Sequence, residues 1–110
     1  MCAAVAPGRE LARGLFDWFC DGPDADLDAV RGMYEACVRA GGPGRITEPA
    51  DFTMLVASRL NFLLVQARVA LDPQAEPWHR EWAEREIDEG LRILPTPRQL
   101  ADVLEVTRAR

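Results

Sequence analysis

The chain has 110 residues, of which 48% are apolar and 28% charged, and 18 acids against 13 bases leave a net charge of -5. That length supports one modest core, and the negative balance argues against nucleic acid as a partner. All 13 bases are arginine, so a P-loop lysine, a Schiff-base lysine and a kinase strand lysine are excluded by absence.

Proline and glycine divide the sequence into five helical segments, and no run of alternating β-branched residues suggests a strand. The first, about Arg9 to Cys20, carries Leu11, Leu15, Trp18 and Phe19 on one face and stops at Asp21-Gly22-Pro23. The second begins in the acidic stretch DADLD and places Leu27, Val30, Tyr34, Cys37 and Val38 at helical spacing. It ends at Gly41 to Gly44, where glycine can take the left-handed cap and proline cannot extend the helix.

The third segment, Asp51 to Leu71, is the most apolar part of the chain, with Pro49 in its first turn and Asp72-Pro73 at its close. Its polar residues fall on two lines, Arg59 with Gln66 and Asn61 with Arg68, on nearly opposite sides of the helix. Between them one apolar flank holds Phe52, Val56, Leu60, Leu63 and Leu64, and the other Leu55, Phe62, Val65 and Val69. Two apolar flanks predict packing from two sides, which would make this the central helix of the domain. A membrane span would put Arg59 near mid-bilayer at a cost of about 2.5 to 3.5 kcal/mol, so none is expected. Arg59 reads first as a core-edge arginine paired with an acid. The sharper alternative makes Arg59, Asn61, Gln66 and Arg68 a polar cleft or the face of a lobe interface.

The fourth segment starts at EPWHREW and carries Trp82, Ala83, Ile87, Leu91 and Leu94 along one stripe until Pro95. Its interleaved acids and arginines read as a solvated, salt-bridged face. In the fifth, Thr96 and Gln99 are spaced for a reciprocal capping box with Pro97 at the first helical position, and Leu100, Val103 and Leu104 face inward. The expected architecture is therefore all-α, five helices around the central one, as a single domain over residues 1–110.

Few motifs survive inspection. Asp24, Asp26, Asp28 and Glu35 match places in a calcium-binding loop, but Ala29 occupies the position that needs glycine. His79-Arg80-Glu81 resembles a kinase catalytic loop only loosely, with glutamate for aspartate and Glu86 where asparagine should stand. With one histidine in the chain and Ser58 its lone serine, a serine triad has little to draw on. GGPG lacks the lysine and strand of a phosphate loop. Cys2, Cys20 and Cys37 lack close pairing or metal-ligand spacing and read as small apolar fillers. No basic start or long apolar run opens the chain, so a cytoplasmic, reducing setting is expected.

The stretches AAVAPGRELARGLFDWFCDG, AVRGMYEACVRAGGPGRI, DFTMLVASRLNFLLVQARVALD and AEREIDEGLRILPTPRQLADVL together resemble the C-terminal helical portion of aminoglycoside-phosphotransferase-like (choline-kinase-like) kinases. The resemblance covers nearly the whole chain and lies in helix order and in phrases such as Pro7 to Ala12, Tyr34 to Gly44 and Leu94-Pro95-Thr96. In that family a nucleotide-binding lobe comes first, and the catalytic Asp and magnesium-binding Asp come shortly before the region that APGRELA resembles. What the resemblance implies is a substrate-side lobe without its nucleotide lobe, inactive by itself as a phosphotransferase, with no cofactor of its own. ATP and magnesium are implied for the full-length family alone.

The partners it implies are the nucleotide lobe and a cationic small-molecule acceptor, which the acids would suit, with no matched site residues to carry over. Two rivals remain: a self-sufficient helical interaction module, perhaps homodimeric, and a small ligand-binding bundle using Arg59 and Asn61.

Overall fold

The computed structural model describes residues 7–108. In chain order these form α1 (Pro7–Phe19), β1 (Cys20–Asp21), β2 (Asp24–Ala25), α2 (Leu27–Arg39), a 3-10 turn (Pro49–Phe52), α3 (Thr53–Ala70), α4 (Pro77–Arg92) and α5 (Pro97–Arg108). Five α-helices match the expected number. The β1–β2 ladder was not foreseen: Cys20 pairs with Ala25 and Asp21 with Asp24, antiparallel, around Gly22 at φ +61°. Two-residue strands carry no alternating pattern to read, so only the turn residues announce them.

The helix ends follow local chemistry. Asp26 caps α2 by accepting from the Ala29 amide at 3.1 Å, and Gly41 beyond its end takes φ +88°, the left-handed conformation expected there. Glu48 and Asp51 form a capping box around the 3-10 turn. At α5 the predicted reciprocal box is present, with the Gln99 amide donating to Thr96 Oγ1 at 3.1 Å and the Thr96 amide donating to Gln99 Oε1 at 3.0 Å.

The core gathers Leu15 and Phe16 of α1, Val30 and Tyr34 of α2, Ile46, Phe52, Leu55 at the start of α3, and Val103, Leu104 and Val106 of α5. Phe16 meets Phe52 edge-on at 5.8 Å, and the Tyr34 hydroxyl accepts from the Ile46 amide at 3.1 Å, which seats the loop between α2 and α3 against the core. The same loop crosses α1 closely, since a Cβ at Gly44 would lie 2.9 Å from the Pro7 carbonyl oxygen.

This core does not surround α3. Within that helix Leu55 and Gln66 are the buried residues, because α1 and the 3-10 turn cover its beginning and the rest packs chiefly on α4. The expectation of a central helix is thus corrected. α4 returns along one side of α3 after a short connection, and on the outward side Leu60, Leu64 and Val65 stay exposed. The molecule is accordingly long, 51 × 30 × 20 Å. Trp18 at the end of α1 is 72% exposed, and Trp82 and Leu91 of the α4 stripe are exposed too. No described helix is long and apolar enough to cross a membrane.

Candidate functional site

The α3–α4 hairpin is the part of the molecule whose sequence exceeds what the core requires. Its helices approach closely at Gly90, where a Cβ would fall 2.7 Å from Leu63 Cδ2. Pro77 occupies the first turn of α4, where the missing amide hydrogen costs nothing, and Arg92 lies in the last turn, where the helix dipole favours a cation.

The four polar residues of α3 divide by face. Arg59, with a side chain 17% exposed, donates to Asp17 Oδ1 at 2.8 Å and to the Ile93 carbonyl at 2.8 Å, so it ties the end of α1 to the C-terminal cap of α4. The paired core-edge arginine is what the structure contains. Gln66, seven residues on, is buried with Oε1 lacking a hydrogen-bond partner. Asn61 and Arg68 are exposed on the other side. The four therefore do not converge on one polar cleft. Arg59 and Gln66 look inward, and their partners on the opposite line look outward, as the spacing of seven required.

What the hairpin presents outward is largely apolar. Leu60, Phe62, Leu64 and Val65 of α3 are exposed, as are Leu71 at its end and Trp78, Trp82 and Leu91 of α4. At the base of α3 an open apolar groove of about 360 Å³ is lined by Pro49, Phe52, Val56, Ala57, Leu60 and Leu100. A neighbouring groove continues over Pro97, Leu100 and Leu104 of α5. On α4, His79 stacks on Trp78 at 5.2 Å and tilts against Trp82 at 6.0 Å. The hydrophobic pattern identified these side chains as apolar. It could not say that α5 would form the second wall of the groove, because that depends on where a helix forty residues away docks.

The polar contacts around the β1–β2 turn hold it in place. Arg92 donates to Asp21 Oδ1 at 2.8 Å and pairs with Glu89 one turn earlier, which holds the Glu89 carboxyl below its ordinary range and raises the Arg92 guanidinium. Gln99 Nε2 donates to the carbonyls of Gly22 at 2.7 Å and Asp24 at 3.1 Å. Burial pushes the Cys20 thiol up to about 11, against a smaller opposing pull from Arg59, so it is a poor nucleophile and suits the filler reading. Cys2 lies outside the described residues.

No family model, curated protein or solved structure matches the chain. Function must be argued from the residues themselves. Asp26 is a helix cap, Asp28 pairs with Arg31 at 3.4 Å, and among the described residues no three His, Cys, Asp or Glu side chains are grouped to hold a metal ion. His79 of the loose catalytic-loop match sits in an aromatic cluster on the α4 helix. The built chemistry of this surface is apolar contact.

Proposed function

We propose that this chain is a helical docking lobe, non-catalytic alone, that acts by covering its apolar hairpin with a second protein body. The observation that carries this is the state of its tryptophans: all three, Trp18, Trp78 and Trp82, are exposed. Trp is highly buried on average, and exposed aromatic side chains are enriched where a partner will cover them. The resemblance set out above suggests which body this is. The chain would be the acceptor-substrate side of an aminoglycoside-phosphotransferase-like enzyme, and the partner the lobe that brings ATP, magnesium ligands and the catalytic aspartate, since phosphoryl transfer is positioning and charge neutralisation by such groups.

The test measures phosphoryl transfer to an aminoglycoside and binding of an apolar dye, first for the chain alone and then with a separately produced nucleotide lobe. No transfer and strong dye binding are expected for the chain alone. Added nucleotide lobe should suppress the dye signal and yield transfer. A chain that binds no dye and unfolds in one steep urea transition as a monomer would need no cover, and the docking account would fail.

A further inference from the structure

We infer that the outer part of the α3–α4 hairpin, residues 62–90, is a cooperative unit of its own that opens and recloses while the rest of the chain stays folded. These residues contribute no side chain to the hydrophobic core or to the half-buried apolar rim packed against it. Within the stretch the buried positions are Gln66, Ala83 and Gly90. Two of these are the smallest residues there are and the third is an amide, while Leu63, Val69 and Ile87 are half-buried, so closing α4 on α3 takes little apolar area fully out of water. Gln66 Oε1 accepts from nothing inside the hairpin, and an unpaired buried carbonyl works against closure. A segment with so few buried apolar contacts opens at lower cost than the whole molecule does.

The two arginines of the hairpin mark where this unit stops. Arg59 holds Asp17 and the Ile93 carbonyl, and Arg92 holds Asp21 and packs on Gly22, so one end of both helices is clamped to α1 and the β1–β2 turn. The connection at the other end is held by local bonds, from the Asp72 amide to the Val69 carbonyl and from the Gln74 amide to Asp72 Oδ1. Isolated helices of under about 15 residues are marginal in water, so the outer half of α3 does not outlast the loss of α4, and the two open together. Whatever covers the hairpin stabilises its closed form alone, and the unit thereby converts a contact on its surface into order of both helices. It is a property of the single chain, independent of the kinase-like reading.

Native-state hydrogen exchange of the intact chain in low urea, corrected for intrinsic rates, tests it. Amides of residues 62–90 should exchange roughly ten-fold or more faster than those around Val30 and Tyr34 or Val103 and Val106, with one shared and shallower urea dependence. Gly32→Ala stabilises α2, which is folded in both the closed and the open form. It should slow exchange about 2- to 5-fold in α2 and α5 and leave residues 62–90 at the parent rate. One protection level and one urea slope over the whole chain would overturn the proposal. So would a hairpin slowed by Gly32→Ala as much as α2 is, or protection that fades residue by residue toward the tip with no shared slope.

Discussion

Arg59 and Asp17 lie 42 positions apart in sequence and 2.8 Å apart in space, and the same guanidinium also holds the carbonyl that ends α4. One side chain thus fastens the α3–α4 hairpin to α1. Arg59→Ala should remove both bonds and leave the Ile93 carbonyl half-buried without its donor, lowering stability by about 1 to 3 kcal/mol. Asp17→Asn should cost under about 1 kcal/mol, because Asp17 is nearly half exposed and water replaces its partner. Urea midpoints of the two variants against the parent chain measure the difference.

Gln66 is the opposite case, a buried carbonyl oxygen with nothing to accept from. Gln66→Leu keeps the volume roughly constant and removes that unsatisfied group, so a gain of about 1 kcal/mol is expected in the same titration. A loss would mean that the amide has a partner, such as an ordered water, that matters to the hairpin.

Two helical glycines should respond to alanine with opposite signs. Gly32 in α2 is exposed and a Cβ there meets nothing, so Gly32→Ala should stabilise by about 0.5 to 1 kcal/mol through helix propensity and a less free unfolded chain. Gly8 in α1 faces the backbone carbonyl of Arg45, where a Cβ would overlap, and backbone cannot swing aside as a side chain can. Gly8→Ala should therefore destabilise by about 2 kcal/mol or more despite the same propensity gain. Thermal midpoints read both.

Cys20 makes stability depend on pH at the alkaline end. Its thiol ordinarily ionises near 9.0, and burial holds it to about 11 in the folded chain. Between those values the unfolded chain loses this proton and the folded chain keeps it, so the contribution is fully present below pH 9 and is lost as pH rises toward 11. The thermal midpoint should fall across that window, and the fall should be shallower in Cys20→Ala. Equal slopes would show that other groups carry the alkaline transition.

What the sequence makes legible here is whatever is settled within a turn or two of helix. The Thr96–Gln99 box, the left-handed Gly41 and the inward line of Val30 and Tyr34 need only their near neighbours, and each is present. The acid partner of Arg59 was legible as a requirement of burial, though not as Asp17. α3 was misread in a specific way. Two apolar flanks show that two sides want cover, but hydrophobicity is the same whether the cover is another helix of this chain or another molecule. The aromatic cluster at Trp78, His79 and Trp82 was hidden for a related reason: a stripe at helical spacing looks like core until the docking of α4 on α3 decides which edge it shows.

Gln99 caps α5 with its oxygen and holds the β1–β2 turn with its nitrogen, across 77 positions to Gly22. Its helix also brings Val103, Leu104 and Val106 to the core begun by α1 and α2. The consequence is one of timing on the ribosome. α1 and α2 emerge with their apolar faces uncovered and must wait for α5, about sixty residues later, before they can close, a long-range closure that slows folding. Nascent chains ending before Pro97 would then be sensitive to protease and inclined to aggregate, while release of a dozen further residues would protect segments made long before them.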